Sequence, residues 1–375
     1  MRIAMAGCRG VPALYSGFET AATEIGTRLV ERGHEVIVYC RNGYGDESER
    51  EYRGIGKVYL PRLNVKVADT LSHTFFSFLH SCISPPDVMI VFNGANGPLC
   101  VIPRLRGIPF AVNIDGLEWK RAKWPWIGQR YFYFASWFCT KIAPALISDS
   151  RGIVDFYRKQ WNCDSYFAAY GAYVQHSKRP EVLEEFGLKP RDYLLVVARM
   201  EPENNGELVL RAFDKVKTDK RLVIVGGTNY KSEYARRLMS SIVDPRVVFT
   251  GGVYDQEKLM ELVCNSYAYI HGHMVGGTNP MLLTALGCGA CVLYCDVCFN
   301  SEVVGSAGIP FPLDEEGARA VFQRVVDNPA EADSYRPLGP PRITNAYSWE
   351  LITDQYEELC RRLYERRPVY AEVGG

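Results

Sequence analysis

Short apolar runs alternate with amphipathic stretches along the first half of the chain. The run at residues 2–6 is followed by a glycine-rich loop, an amphipathic stretch over 20–32 and a second apolar run at 34–40. Short apolar runs predict strands, and the wider 3.6-residue spacing predicts a helix. Further strands are predicted at 88–92, 109–114 and 145–148. This β–α alternation predicts a Rossmann-like unit.

The second half of the chain repeats the alternation, so we predict a second domain of the same class. Its apolar runs stand at 193–199, 221–227, 247–253, 267–270 and 290–294. A chain of 375 residues is too long for one ordinary core, which agrees with two domains. The predicted fold class is α/β, with two Rossmann-like, doubly wound domains that face a cleft.

Polarity and proline content set the predicted domain boundaries. Residues 1–175 form the first domain, and the polar stretch 176–190 is the linker. Residues 191–345 form the second domain. The charged, amphipathic stretch 346–367 predicts a C-terminal helix that packs back across the domains.

The stretch 267–289 holds the strongest candidate chemistry. Its strand is followed by a glycine loop and then by Thr278, Asn279 and a proline, which suit the start of a helix. Gly276 and Gly277 leave the backbone open to an anion, which the N–H groups and dipole of a helix start attract. The pattern predicts a phosphate site, although an ordinary strand-to-helix turn uses the same residue types.

A cation ends the first strand of the same predicted domain. Arg199 follows the apolar residues at 193–198. Since the carboxyl ends of parallel strands meet at one edge of a sheet, Arg199 and the glycine loop suit the two phosphates of a diphosphate. We infer a nucleotide-bound substrate, with its acceptor held by the first domain.

The first glycine-rich loop does not fit a dinucleotide site. Gly7, Gly10 and Gly17 lack G-x-G-x-x-G spacing, and Cys40 and Arg41 stand where an acidic residue would bind ribose. NAD is therefore disfavoured. A long glycine loop that opens a helix at Gly17 still suits a phosphate or a sugar.

Two carboxylates follow a predicted strand of the first domain. Asp115 and Glu118 come just after the run at 109–114. Carboxylates in this position orient hydroxyl groups or transfer a proton. A turn-forming aspartate and a helix-capping glutamate explain the same spacing equally well.

Composition excludes several classes of function. The chain has 43 basic and 43 acidic side chains, so its charge does not indicate nucleic acid, and no apolar run approaches the roughly 18–20 residues of a membrane span. Most of the 12 cysteines stand singly in apolar segments, as in reduced cytoplasmic proteins. The run from Cys288 to Cys298 has metal-like spacing. However, Cys291 and Cys295 would lie about 13 Å apart along a strand, so no metal is expected.

Basic and aromatic residues are mixed at 119–141. The stretch holds Trp119, Trp124, Trp126 and Trp137 together with five lysines and arginines. One interpretation is peripheral contact with an anionic membrane surface, where aromatic rings sit at the headgroups. The other is a half-buried helix whose basic residues face water.

Taken together, these motifs resemble those of retaining GT-B glycosyltransferases of family 4, in particular a rhamnosyltransferase-like branch with a distinctive N-terminal domain. The resemblance is carried by AGCRGVPALYSGFET, VNIDGLEWKRAKW, ARMEPENN and HGHMVGGTNP. It implies transfer of rhamnose, glucose or GlcNAc from a dTDP- or UDP-sugar without a metal cofactor. The implied acceptor is a saccharide, often polyprenyl-linked, at the cytoplasmic face of the plasma membrane.

The resemblance also assigns roles to residues. Asp115 and Glu118 would stand at the acceptor hydroxyl as the catalytic carboxylates. Gly17 would lie against the donor phosphate, and Arg199 would bind the diphosphate. The implied donor site comprises Gly17, Arg199, Asn204, Gly276, Gly277, Thr278, Asn279 and Thr284.

Three of these positions depart from the wider family. Many members carry two glutamates where this chain has Gly276 and Thr284, and a lysine where it has Asn204. The second glutamate normally accepts hydrogen bonds from ribose, so Thr284 implies donor binding weaker by about 1–3 kcal/mol. The alternative to an active transferase is therefore a catalytically impaired homologue that binds a nucleotide sugar or a partner enzyme. A sugar-nucleotide epimerase is a third hypothesis.

Overall fold

The protein consists of two compact units. The structure is a computed structural model that describes residues 1–14, 16–65, 68–121, 124–227, 233–240 and 244–370. Unit 1 comprises Met1–Gly171 and Trp349–Gly375, and unit 2 comprises Ala172–Ser348. Each unit is a sheet flanked by helices.

Unit 1 contains an eight-stranded sheet in the order β3-β4-β2-β1-β5-β6-β7-β8. Its strands are β1 (Arg2–Ala6), β2 (Glu35–Arg41), β3 (Glu51–Tyr52), β4 (Ile55–Leu60), β5 (Val88–Phe92), β6 (Phe110–Asn113), β7 (Ala145–Ser148) and β8 (Tyr166–Phe167). All neighbours pair in parallel except β3 and β4. Every residue of β5 is fully buried, as expected for a central parallel strand that is covered on both faces.

The helices of unit 1 follow the strands in the β–α alternation that the sequence predicts. They are α1 (Gly17–Glu31), α2 (Asp69–Ile83), α3 (Val101–Leu105), α4 (Trp126–Ile142) and α5 (Arg151–Trp161). Two 3-10 segments, Gly94–Cys100 and Glu118–Lys120, precede α3 and α4.

Unit 2 contains a six-stranded, fully parallel sheet in the order β11-β10-β9-β12-β13-β14. Its strands are β9 (Tyr193–Val197), β10 (Arg221–Val225), β11 (Val247–Gly251), β12 (Ala268–His271), β13 (Val292–Cys295) and β14 (Gly308–Phe311). Its helices are α6 (Gly206–Asp214), α7 (Glu233–Ser240), α8 (Gln256–Cys264), α9 (Pro280–Gly287), α10 (Cys298–Val304), α11 (Glu315–Asp327), α12 (Pro329–Tyr335) and α13 (Gly339–Ala346).

Strand order places a switch point in each sheet. In unit 2 the chain winds outward from β9 to β11 and then returns to place β12 on the other side of β9. The same reversal occurs in unit 1 between β1 and β5. Ligands of doubly wound sheets bind at the carboxyl ends of the two strands at such a point. A ligand site is therefore expected at the loops after β1 and β5 in unit 1 and at the loops after β9 and β12 in unit 2.

The stretch 176–190, predicted as a linker, lies within unit 2 instead. Glu261 of α8 accepts hydrogen bonds from the Ser177 hydroxyl at 2.6 Å and from the backbone N–H groups of Lys178 and Arg179 at 2.6 and 2.8 Å. Leu183, in the 3-10 segment that follows, is 1% exposed. The carboxylate satisfies the polar backbone of the stretch, and burial of Leu183 fixes the rest.

The C-terminal helix α14 (Trp349–Tyr364) belongs to unit 1, although it follows unit 2 in the sequence. It packs against α1, and Tyr356 is almost fully buried. Arg32 of α1 forms ion pairs with Asp354 at 2.8 Å and with Glu357 at 2.9 Å. Apolar burial and these ion pairs therefore hold the C-terminal helix α14 against the N-terminal helix α1.

We expect Glu357→Gln to destabilise unit 1 by about 1–3 kcal/mol at neutral pH, because a charged hydrogen-bond acceptor is lost. Although burial opposes it, hydrogen bonds from Arg32 and His34 hold the pKa of Glu357 below its usual range. The stabilisation is therefore complete above the unfolded pKa of about 4.3 and is lost as the pH falls through the folded value. Thermal unfolding followed from neutral pH into acid measures both effects.

Glu358→Gln is the matched control. Among the described contacts, Glu358 pairs with Arg361 and Arg362 of its own helix. Pairs within one helix contribute about 0.3–0.5 kcal/mol, so this variant should lose less stability and less acid sensitivity than Glu357→Gln. Equal behaviour of the two variants would contradict the stabilising role of Glu357.

Candidate functional site

The loops that follow β9 and β12 are joined to each other at the switch point of unit 2. The Asn205 side-chain amide donates to the Gly272 carbonyl at 2.8 Å, and the Met274 N–H donates to the Glu203 carbonyl at 3.1 Å. A Cβ atom on Gly272 would lie 2.5 Å from the Asn204 carbonyl oxygen. Only glycine allows this approach, so Gly272 brings the two loops together.

The loop after β12 ends at a capped helix start, as the sequence predicts. The Asn279 side chain accepts a hydrogen bond from the Met281 N–H at 2.9 Å, and Pro280 is the first residue of α9. Gly276 has φ 144°, which side-chain-bearing residues rarely adopt. Gly277 and Thr278 complete the turn, and Thr278 is 5% exposed. Helix dipole and backbone N–H groups make this end of α9 suitable for an anion.

Arg199 lies on the neighbouring loop with its side chain 53% exposed. Its guanidinium is 3.5 Å from Glu201, a long contact that leaves capacity for an anionic ligand. Asn204 is 6% exposed, and its amide donates to the Arg199 carbonyl at 2.8 Å. Asn204 therefore shapes the loop that carries Arg199, a contact that its sequence position does not reveal.

Thr284 lies one turn into α9, and its hydroxyl donates to the Pro280 carbonyl at 3.0 Å. This bond is internal to the helix, as is common for threonine. Because its proton is donated to Pro280, the Thr284 hydroxyl is a weaker hydrogen-bond partner for a ribose than the glutamate carboxylate that the family pattern predicts at this position.

In unit 1 a buried glutamate organises the loop after β1. Glu19, 2% exposed, accepts hydrogen bonds from the Arg9 N–H at 2.8 Å and from the Ser16 hydroxyl. Gly17, the first residue of α1, lies between Ser16 and Glu19 in the sequence. Ser16 and Glu19 have capping-box spacing, a signal in the sequence that could have identified Glu19.

Asp115 follows β6 in a left-handed backbone conformation, with φ 53°. Its N–H donates to the Asn113 side-chain oxygen at 3.0 Å, and the Asn113 amide donates to the Tyr356 hydroxyl at 3.0 Å. A non-glycine residue in this conformation is held by its surroundings, which often marks a functional position. Helix α14 thus supports the backbone that presents Asp115.

Acidic residues surround a buried tyrosine at the same edge of unit 1. Tyr170 is 7% exposed. Burial, followed by the charges of Asp115, Asp149 and Glu19, raises the pKa of Tyr170 well above its usual value. Asp149 directly follows β7, so its position after an apolar run was the available signal. Asp149 and Glu19 are 1% and 2% exposed, whereas Asp115 is partly exposed, so Asp115 is the carboxylate of this group that is suited to accept a hydrogen bond from a sugar hydroxyl.

Glu118 is less available than Asp115. One carboxylate oxygen lies 2.6 Å from the Arg121 guanidinium, and the other accepts a hydrogen bond from the Trp124 indole N–H at 3.0 Å. These contacts tie Glu118 to the start of the basic-aromatic stretch. These contacts occupy both carboxylate oxygens, and the catalytic role of Glu118 stays a prediction.

The cysteine run does not form a cluster. Cys291 and Cys295 are fully buried in or beside β13, whereas Cys298 is exposed at the start of α10. Within the described part of the chain, no group of three or more His, Cys, Asp or Glu side chains is arranged to hold a metal ion. Metal independence stays a prediction.

Two regions match known families. Residues 191–327 match glycosyl transferases group 1, and residues 99–173 match a domain of unknown function, DUF1972. The first match covers the strands and loops of the unit 2 switch point. Unit 2 is therefore similar to glycosyl transferases group 1 over most of its length.

Two curated relatives are similar over part of their length. O-antigen chain mannosyltransferase B of Escherichia coli is 24% identical over 46% of this chain and 47% of its own. N-acetylgalactosamine-N,N'-diacetylbacillosaminyl-diphospho-undecaprenol 4-alpha-N-acetylgalactosaminyltransferase of Campylobacter jejuni is 28% identical over 38% of each chain. The chain thus spans less than half the length of these relatives.

Similar solved structures cover nearly the whole chain. Sucrose-phosphate synthase from Thermosynechococcus elongatus superimposes with a TM-score of 0.80 at 16% identity, over 97% of this chain and 99% of its own. Anabaena HepE in complex with UDP superimposes with a TM-score of 0.75 at 12% identity, over 96% and 99%. The protein has the GT-B fold, as its sequence predicts.

We expect Gly272→Ala to destabilise unit 2 by about 1–3 kcal/mol, because the added Cβ meets a backbone carbonyl that cannot rotate away. Gly227→Ala is the matched control, since its Cβ would lie no closer than 3.6 Å to another atom. Thermal unfolding of both variants measures the difference. Equal midpoints would show that the two loops are not held together at Gly272.

Proposed function

We propose that the protein is a retaining glycosyltransferase of family 4 that moves a sugar from a nucleoside diphosphate to a saccharide acceptor. The observation that carries the proposal is the pair of joined loops at the switch point of unit 2. They join the loop that carries a half-exposed arginine to the loop that leads into a capped helix start, and these two groups together suit a diphosphate. The group 1 family match over the same residues supports this assignment.

The proposed chemistry depends on stabilising the leaving diphosphate. Arg199 and the N–H groups of residues 276–281 supply positive charge where negative charge develops as the sugar departs. The donor phosphate takes the acceptor proton, so no protein nucleophile is needed. Asp115, which is partly exposed, orients the acceptor hydroxyl.

The donor is proposed to be a UDP- or dTDP-sugar that carries rhamnose, glucose or GlcNAc. The UDP bound to the similar HepE structure supports a uridine or thymidine nucleotide. The acceptor is proposed to be a saccharide on a polyprenyl carrier, used in cell-surface polysaccharide synthesis. The names of the two curated relatives, which specify an O-antigen chain and a diphospho-undecaprenol acceptor, support that choice.

A catalytically impaired homologue is the second candidate. Thr284 favours it, because the threonine hydroxyl is bonded within α9 and no carboxylate replaces the ribose-binding glutamate at that position. Such a protein would bind nucleotide sugars without turning them over.

Unit 1 presents an exposed apolar face that suits the proposed membrane contact on the cytoplasmic side. On α4, Trp126, Ile127 and Trp137 are 68%, 73% and 39% exposed, and Arg130 lies over the Trp126 ring at 5.6 Å. Helix α2 adds Ile83, which is 84% exposed, and both helices pack on the 3-10 segment Gly94–Cys100. Aromatic rings beside cations match the interface of an anionic bilayer.

Part of the basic-aromatic stretch does not belong to this face. Trp119 packs edge-on against Tyr133 and also against Trp161, with ring centroids 5.6 and 5.8 Å away. Residues 122 and 123 lie outside the described part of the chain. None of the described helices is long and apolar enough to cross a bilayer.

We expect Arg199→Ala to weaken the binding of UDP and dTDP by about 1.5–3 kcal/mol, the value of a hydrogen bond to a charged group. Arg211→Ala is the control, because Arg211 is 65% exposed on α6 and pairs with Glu207. Thr284→Glu should tighten donor binding by about 1–3 kcal/mol. Calorimetric titration with both nucleotides measures these changes.

Turnover separates the two candidate functions. Release of free nucleoside diphosphate from a panel of dTDP- and UDP-sugars, with polyprenyl-linked saccharides as acceptors, is expected for the transferase. If the unaltered protein and the Thr284→Glu variant both bind several donors without turnover, the transferase proposal is contradicted and the impaired homologue is supported. Products formed from donor alone would indicate an epimerase.

We expect replacement of Trp126 and Trp137 by alanine to weaken partitioning onto anionic vesicles roughly tenfold or more, because two buried rings are lost. Leu313→Ala is the control, since Leu313 is a 48% exposed apolar residue of unit 2. Co-sedimentation with phosphatidylglycerol vesicles measures the change. Unchanged partitioning of the double variant would contradict a membrane role for this face.

A further inference from the structure

Three aromatic rings form a column that leads from β12 into the glycine loop. Tyr269, His271 and His273 alternate along the strand direction and therefore point to the same face. The rings of Tyr269 and His271 are stacked with centroids 6.0 Å apart, and those of His271 and His273 with centroids 4.4 Å apart. His273 is the outermost ring, at the point where the strand ends.

The inner histidine of the pair is neutral. His271 is 0% exposed, and its Nε2 atom has no hydrogen-bond partner. Burial, followed by the neighbouring His273, pushes the pKa of His271 well below its usual value. Two imidazolium rings at a stacking distance would repel each other, and His273 is the partly exposed ring of the pair.

The backbone fixes His273 at the junction of the two site loops. Its neighbours Gly272 and Met274 both bond to the loop that carries Arg199. On the other side, the Asn300 side-chain amide of α10 donates to the His273 carbonyl at 2.8 Å. The backbone of His273 is therefore held at the junction of the loop that carries Arg199 and the loop that leads to α9, the two loops of the proposed diphosphate site.

The side chains of these two loops supply few hydrogen-bond donors for a diphosphate besides Arg199. Residues 198–205 contain Arg199, Glu201 and Glu203, and His273 is the one titratable side chain among residues 272–279. Glu203 is 4% exposed, and neither of its carboxylate oxygens has a hydrogen-bond partner among the described residues. A doubly charged diphosphate would meet one arginine against two carboxylates. Asn204, at the position of the family lysine, is occupied in shaping the loop.

We propose that His273 binds the donor diphosphate, with a ring N–H donating to a phosphate oxygen and His271 supporting the ring by stacking. This inference rests on the proposed nucleotide-sugar activity. The titratable and charged groups on the surrounding elements are Arg199, Glu201 and Glu203 after β9, Tyr269 and His271 on β12, and Asp296, Cys298 and Glu302 at and before α10. Helix α9 contributes none.

The test compares diphosphates with monophosphates. Titrations with UDP and UMP, and with dTDP and dTMP, are made on the unaltered protein, His273→Gln and His273→Phe. Because the contact is to the diphosphate, both variants should reduce the advantage of the diphosphate over the monophosphate roughly tenfold, the change expected for one charged hydrogen bond. His273→Phe keeps the stack on His271, so its unfolding midpoint should be unchanged.

His176→Gln is the matched control, since His176 is an exposed histidine of unit 2 outside the site. Equal weakening of diphosphate and monophosphate binding, or no weakening at all, would overturn the role of His273 and leave the proposed function intact. Failure of the unaltered protein to bind any of the four nucleotides would overturn the proposed function itself and this inference with it.

Discussion

The candidate donor site depends on one close backbone approach, between Gly272 and the Asn204 carbonyl. Without a side chain at Gly272, the loop after β12 can lie directly on the loop after β9, and two hydrogen bonds from Asn205 and Met274 hold it there. The parallel order of the sheet brings both loops to one edge. This contact joins the loop that carries Arg199 to the loop that carries His273 and leads to the start of α9.

The apolar pattern predicts the central strands well because both of their faces are buried. The boundaries of β5 and β7 agree with the apolar runs, and β12 differs by one residue at each end. The apolar pattern does not predict the two-residue strands β3 and β8, nor β4 and β14. Strand β4 is partly exposed and contains Lys57, and β14 includes Pro310, so neither has a continuous apolar run. Such strands form because they pair with a neighbouring buried strand, β2 for β4 and β13 for β14, more than because of their own residues.

The site was predictable where it depends on backbone-determining residues and unpredictable where it depends on tertiary contacts. Glycines, Asn279 and a proline mark the start of α9 in any protein, because they favour that conformation locally. Spacing alone does not reveal that Asn204 bonds to the Arg199 carbonyl or that Glu118 is occupied by Arg121 and Trp124. These contacts form only in the folded protein, and they determine which side chains remain available for a substrate.

The central claim is that a nucleoside diphosphate binds at the switch point of unit 2. A crystal structure of the protein with UDP or dTDP tests it most directly. The account predicts that the diphosphate contacts the Arg199 guanidinium and backbone N–H groups within residues 276–281. A diphosphate bound away from both groups, or a site that stays empty at saturating nucleotide, would contradict it.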